Sequence, residues 1–274
     1  MKLIDTHAHI YDESLLENLT AVMDNAAREG IEKIVVPAVD IPSGNLIIDR
    51  LISLKNVYYA LGVHPNEAQK CSNEQWDQLE KQIRALRNGV GPQSEKLVAL
   101  GETGLDLYWD DCPLARQQDF LLRHLNLGKE LGLPIIIHCR DAYEELGSLL
   151  ESFVRENGPI SGVIHSFSGD CAFLDRCLDW GFHIGFGGQV TYKQKKFDPV
   201  REAAIYAPAD RILVETDCPY LTPSPLRGKV ENNEPAYVAH TAAFLAMIRG
   251  VSLDALAQQT SGNAERLFKL ADSE

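Results

Sequence analysis

The sequence predicts an α/β fold, a closed (β/α)8 TIM barrel running as one domain over residues 1–274, and three observations predict it. Its length of 274 residues is close to the ~250 of such barrels, which count as single domains. Short apolar, β-branched runs alternate with longer stretches of helical period, as strands joined by crossover helices do. Side chains capable of metal or acid–base chemistry stand just beyond most of those runs, where a barrel enzyme gathers its working residues.

Taken in order, the eight strand runs fall at 2–6, 33–38, 57–63, 97–101, 133–137, 161–164, 182–186 and 211–214. After the first, Leu15, Leu16, Leu19, Val22, Met23 and Ala26 recur at helical spacing and stop at Gly30, which suits a glycine C-cap. Trp76, Leu79, Ile83 and Leu86 form a stripe after the third run, and Leu114, Leu121, Leu125 and Leu131 another after the fourth, ending at Gly132. Leu146, Leu149, Leu150, Phe153 and Val154 follow the fifth and end before Gly158-Pro159. An open doubly wound sheet shares this alternation, but it gathers its chemistry at one switch point.

Here the chemistry is spread around a ring. His7 and His9 follow the first strand; on extended chain, residues i and i+2 share a face, so both imidazoles can reach one ion. His64 follows the third strand, Glu102 the fourth, His138 the fifth, His165 the sixth and Asp217 the eighth. Only the second and seventh lack such a group.

Composition narrows the classes. With 45% hydrophobic and 24% charged residues and no low-complexity tract, the chain belongs among soluble globular proteins. No apolar stretch reaches the ~18 residues of a membrane span, and the strand-like start reads as no cleavable leader, so a cytoplasmic protein without membrane partners is expected. The six cysteines show no Cys-x-x-Cys spacing and are expected as free thiols. A net charge of -13 argues against a broad surface tracking nucleic acid, because neutralising phosphates takes clustered Lys and Arg. A small local anion site stays compatible with it.

The motifs Asp5-Thr6-His7-Ala8-His9, Gly62-Val63-His64-Pro65, Gly101-Glu102-Thr103-Gly104-Leu105-Asp106, His138-Cys139-Arg140-Asp141, Glu215-Thr216-Asp217-Cys218-Pro219-Tyr220-Leu221 and Asn233-Glu234-Pro235-Ala236 resemble those of the TatD family. Its members are metal-dependent hydrolases usually described as deoxyribonucleases, within the wider amidohydrolase superfamily. The resemblance runs nearly end to end. It implies a site for two divalent metal ions in which His7, His9 and Asp217 hold one, His138 and His165 hold the other, and Glu102 bridges them. Two positions depart from the pattern: Ser166, where Cys or Phe is expected, and Leu226, where many members carry His. Both bear on substrate preference more than on metal binding.

Four histidines with two carboxylates suit Zn, Mn or Mg without choosing among them. Two such ions ~3.5–4 Å apart can share a bridging hydroxide and clamp the attacking and leaving oxygens of a phosphodiester. Asp217 is then both ligand and acceptor of the water's proton, and His64 binds the phosphate or protonates the leaving oxygen. Cations recur in the expected catalytic loops, namely Arg140, Lys193, Lys195, Lys196, Arg227 and Lys229, and form a local anion funnel. Tyr220, Tyr192 and Phe167 are loop aromatics able to stack a base.

Other groups read as structural. His124, His183 and His240 lie away from the motifs, Cys139 and Cys218 point opposite to the ligands they follow, and Glu215 is placed to orient a ligand histidine. Asp106 either braces the Glu102 loop or takes part in catalysis, and Asp141 either caps the next helix or does the same. The expected function is a 3′-to-5′ exodeoxyribonuclease acting, as a monomer, on the ends of single-stranded DNA. The alternatives are a metal-dependent esterase or deacylase, for example on misacylated tRNA, and a non-catalytic metal-binding scaffold that takes up metal without turnover.

Overall fold

The structure, a computed structural model, describes residues 2–270. Strands β1 (Leu3–Asp5), β2 (Ile31–Pro37), β3 (Val57–Leu61), β4 (Leu97–Asp106), β5 (Ile135–Arg140), β6 (Gly162–Ile164), β7 (Phe182–Phe186) and β8 (Ile212–Val214) form one sheet in sequence order. Every neighbouring pair is parallel. The ring closes just past the ends of β1 and β8. There Thr6 donates to the Val214 carbonyl from its N–H at 3.2 Å and from its hydroxyl at 3.1 Å, and Asp217 N–H donates to the His7 carbonyl at 2.8 Å. The eight strands of the (β/α)8 barrel read from the sequence are therefore all present.

Helices α1 (Glu13–Leu16), α2 (Leu19–Arg28), α3 (Ile41–Arg50), α4 (Asn73–Asn88), α5 (Pro92–Lys96) and α6 (Leu114–Leu131) belong to the first half of the barrel. Helices α7 (Tyr143–Asn157), α8 (Cys171–Asp179), α9 (Asp198–Tyr206), α10 (Val238–Arg249) and α11 (Leu253–Phe268) belong to the second. Side-chain caps start α1, α3, α4, α8 and α11. Asp40 accepts the Ser43 N–H at 2.8 Å ahead of α3, and Ser72 and Gln75 cap each other's backbone ahead of α4, each cap typically stabilising by ~1 kcal/mol. Gly132 ends α6 in the left-handed region at φ 63°, which glycine adopts without a Cβ penalty.

Alternation along the strands sorts the core into two layers. Ile4, Val35, Tyr58, Ala60, Val98, Ile136, Val163 and Leu213 fill the barrel with Ala264, Leu267 and Phe268 of α11, so α11 seals the mouth at the strands' N-terminal ends. The opposite faces, among them Ile34, Val36, Tyr59, Leu61 and Ile137, pack against the outer helices. Each such side chain contributes ~1.5–3 kcal/mol on full burial. Lys33 also points inward, and its ammonium is held by Glu265 of α11 at 2.8 Å. Among the described residues no single helix is long and apolar enough to cross a membrane.

Most strand bounds differ from the sequence reading by one or two residues, and one helix and two strands differ more. The stripe expected as one helix from Leu15 to Ala26 is broken, because Asn18 leaves helical geometry (φ -116°, ψ 25°) and starts α2 afresh. β4 and β5 run farther than expected, so Glu102 lies within a strand, and His138 and Arg140 lie in β5 instead of after it. Glycine is normally a sign that a strand stops, but Gly101 and Gly104, at φ 131° and 147°, let β4 bulge and then pair again with β5 from Thr103 to Asp106. A Cβ on Gly104 would collide with the His138 carbonyl.

Candidate metal centre

Barrel closure builds one half of the centre. The seam between β1 and β8 brings His7 Nε2 to 3.1 Å from His9 Nε2, with Asp217 Oδ1 3.6 and 3.3 Å from them. Buried Asp5 ties the two strand ends together by accepting from Thr216 N–H at 2.9 Å, the Thr216 hydroxyl at 2.6 Å and His7 N–H at 3.3 Å. Asn233, fully buried, donates to the carbonyls of Thr216 and Tyr220 at 2.9 and 2.6 Å and so brackets the loop carrying Asp217. Asp217 itself has φ 57°, a conformation aspartate tolerates better than most residues.

The other half comes from β5 and the turn after β6. His138 Nδ1 lies 3.2 Å from His165 Nε2. Glu102 stands between the halves: Oε1 is 2.9 Å from His138 Nδ1 and 2.8 Å from His165 Nε2, while Oε2 is 3.2 Å from His7 Nε2 and 3.7 Å from His9 Nε2. All six residues expected as ligands therefore converge.

These donors fit divalent metal. Ligands on a tetrahedral edge with bonds of about 2.0–2.1 Å to nitrogen lie about 3.3–3.4 Å apart, close to the spacings within each half. Ring nitrogens facing each other at 3.1–3.2 Å cannot both carry protons, and the other groups beside them are the carboxylates of Glu102 and Asp217, which are metal-ligating groups themselves. A cation would satisfy both lone pairs at once.

Electrostatics point the same way. Burial alone would raise the Glu102 pKa, but His165, His7, His64 and a hydrogen bond from His138 hold it well below the usual carboxylate range. Burial likewise opposes ionisation of Asp217, and a hydrogen bond from His9 with the charges of His7 and His165 outweighs it. His64 is pushed down to about 3, first by burial and then by His138. Its Nδ1 accepts the Asn66 N–H at 3.2 Å, so its proton sits on Nε2, which lies 3.6 Å from Glu102 Oε1. His64 is thus a neutral N–H donor facing the centre and not a ready acid. The segment before it is fixed by buried His124, which accepts the Val63 N–H at 3.1 Å and donates to the Phe120 carbonyl at 2.7 Å.

Three of the four ligand histidines have an oxygen beside their other ring nitrogen, whereas Nδ1 of buried His7 has no hydrogen-bond partner among the described residues. His9 Nδ1 meets the Tyr11 hydroxyl at 3.0 Å, His138 Nε2 meets Asp106 Oδ2 at 3.0 Å, and His165 Nδ1 lies 3.6 Å from Glu215 Oε1, which also accepts the Ser166 N–H. Glu215 is where the sequence reading placed it. Tyr11 was not anticipated, since an aromatic two positions past a histidine carries no signal by itself. Asp141 makes no cap: it is exposed at φ 54°, and α7 starts after Ala142 without a side-chain cap.

The expected substrate-contacting residues divide. Arg140, Lys193, Lys195, Lys196, Arg227 and Lys229 are all exposed, and Tyr220 is exposed with its ring 6.5 Å from that of His9. Phe167 is not available to a base, because it is buried between Phe173 and Phe186. Tyr192 is buried as well, with the Arg227 guanidinium 3.9 Å from its ring. Sequence reasoning overlooked exposed Tyr108 and Trp109, which sit just past Asp106.

Comparison with known proteins agrees with this geometry. A family model described as TatD related DNase matches residues 4–269. YabD of Bacillus subtilis, an uncharacterized metal-dependent hydrolase, is 37% identical over 268 residues, covering 98% of this chain and 99% of its own. YcfH of Escherichia coli, described in the same terms, is 38% identical over 274 residues, covering 98% and 97%. The crystal structure of YJJV, a TatD homolog from Escherichia coli, superposes with a TM-score of 0.88 at 32% identity over 98% of each chain.

Proposed function

The chain belongs to the TatD related DNase family and is a metal-dependent hydrolase, and from that premise we propose that it hydrolyses phosphodiesters at the ends of single-stranded DNA, in the 3′-to-5′ direction. The observation that carries the reading is the placement of Glu102, whose two oxygens face separate histidine groups 2.8–2.9 Å and 3.2–3.7 Å away. That placement suits two divalent ions, Mg, Mn or Zn, one held by His7, His9 and Asp217, the other by His138 and His165, with Glu102 shared. Bound there, such ions would polarise a phosphoryl oxygen and make water easier to deprotonate.

The protein's own groups supply the rest. Ionised Asp217 is placed to take a proton from the attacking water. Neutral His64 offers its Nε2–H to a phosphate oxygen, the first of the two roles read from the sequence, since a histidine with a pKa near 3 is a poor source of protons at neutral pH. Arg140 and the exposed cations after β7 and β8 hold a short strand against a protein of net charge -13, which favours ends over long duplex. In this reading the enzyme works as a monomer in the cytoplasm, a reducing compartment that suits its free thiols.

The test is incubation of metal-reconstituted protein with end-labelled single-stranded DNA, duplex DNA, a p-nitrophenyl phosphodiester and an aminoacyl ester. Stepwise shortening from the 3′ end is expected. Turnover of the aminoacyl ester alone would establish a deacylase, and metal uptake without any turnover a scaffold.

A further inference from the structure

We infer that Trp109 and Tyr108, backed by Arg140, form a subsite for the planar base of the nucleotide adjoining the scissile phosphate. The inference rests on the phosphodiesterase reading and deepens it. The two rings are 52% and 53% exposed at the loop leaving β4, whereas Trp76 and Trp180 are buried. They stand edge to face with centroids 4.8 Å apart, and the Arg140 guanidinium lies 3.8 Å from the Tyr108 centroid and 5.8 Å from that of Trp109.

This cluster is tied to the metal centre. Asp106 Oδ1 accepts the N–H groups of Tyr108 and Trp109 at 2.9 and 3.2 Å, while its Oδ2 lies 3.0 Å from His138 Nε2. The neighbouring Leu107 N–H donates to the Arg140 carbonyl at 2.9 Å, which pins the loop to β5 two residues beyond His138. One carboxylate therefore fixes both a ligand histidine and the backbone of the aromatic pair. Exposed rings held this firmly are suited to a flat π-face, and an adjacent guanidinium suits the phosphate that accompanies it. Of the three aromatics expected to stack, Phe167 and Tyr192 are covered and Tyr220 is exposed beside His9, so Tyr108 and Trp109 supply the stacking surface on the His138 side of the centre.

The probes are thymidine 5′-monophosphate and 2-deoxyribose 5-phosphate, phosphomonoesters that differ only by the base. Because Trp109 is the exposed tryptophan, the base-bearing probe should quench tryptophan emission of the metal-loaded protein and bind about tenfold more tightly than the base-free one. In Trp109→Ala that preference should collapse, and Trp109→Phe should restore most of it. In kinetics, the KM advantage of thymidine 5′-p-nitrophenyl phosphate over methyl p-nitrophenyl phosphate should shrink in Trp109→Ala by a similar factor. Equal binding of the two probes by the unaltered protein, or a base preference unchanged in Trp109→Ala, overturns the subsite even if DNA is cleaved. A Trp109-dependent base preference in a protein that cleaves no phosphodiester upholds the subsite and sinks the phosphodiesterase reading instead.

Discussion

Asp106 Oδ2 lies 3.0 Å from Nε2 of His138, the ring nitrogen turned away from Glu102. A carboxylate there fixes the tautomer that leaves Nδ1 free as a ligand and makes the imidazole more basic. Burial opposes ionisation of Asp106, but the hydrogen bond from His138 and those from the Trp109 and Tyr108 N–H groups bring its pKa down to about 2. Asp106→Asn keeps the shape and removes the charge. Metal affinity, followed by calorimetric titration, should drop about 10–100-fold. Wild-type affinity in this variant would reduce Asp106 to a brace for its loop.

Glu102→Ala removes the carboxylate shared between the two histidine groups. Turnover should fall to near background in metal-saturated protein, while circular dichroism and thermal unfolding stay close to wild type. Glu102 is a buried residue of β4 but contributes no apolar packing to the barrel core, and in metal-saturated protein the histidines it faces would keep the ions as partners, so the fold should survive its loss. Retention of a near wild-type rate would rule out a shared centre.

These two residues also show what the sequence could reveal. The eight strands were legible because β-branched apolar runs carry period and length, and the ligands because each follows or ends such a run. His7 and His9 needed only the two-residue repeat of extended chain. The role of Asp106 was left open because its partner, His138, is 32 residues away and meets it only through the renewed pairing of β4 with β5. That pairing depends on glycine conformations that ordinarily signal an ending. Phe167 and Tyr192 were misjudged for a similar reason: covering by Phe173, Phe186 and Arg227 is set by packing between elements and leaves no local pattern.

His124 should make folding acid-sensitive. Burial first, and Arg123 in addition, lower its pKa from 6.5 to about 4 against the opposing bond to Phe120, so the unfolded chain takes up the proton before the folded one does. Stability is then fully present above about pH 6.5 and is lost as the pH falls toward 4, by on the order of 3 kcal/mol. His124→Gln should be less stable than wild type at pH 7.5, because the Val63 N–H loses its acceptor at a cost of about 1–3 kcal/mol. The gap should narrow as the pH falls, since glutamine does not titrate. Urea unfolding at several pH values measures it, and a gap independent of pH would mean that His124 titrates normally.

The last prediction concerns the cations outside the metal centre. Lys195 and Lys196 lie in an exposed turn after β7, and Arg227 and Lys229 in the loop after β8, on an otherwise acidic protein. If these residues and Arg140 hold only a short strand end, few phosphates are neutralised. Single-stranded DNA gives a slope of log affinity against log salt of about -0.7 per phosphate contacted, so two to four contacts correspond to roughly -1.4 to -2.8. A much steeper slope would reveal a long footprint and count against action at ends. Reversing the charge at Lys195 and Lys196 should raise KM and leave kcat nearly constant, because their contacts with the strand are the same in the ground and transition states. Arg140 ends the strand that carries His138, so its replacement should change both constants. Unaltered cleavage kinetics after reversal of the two lysines would make them part of an ordinary solvated turn, and strand binding would then fall to Arg140 and the loop after β8.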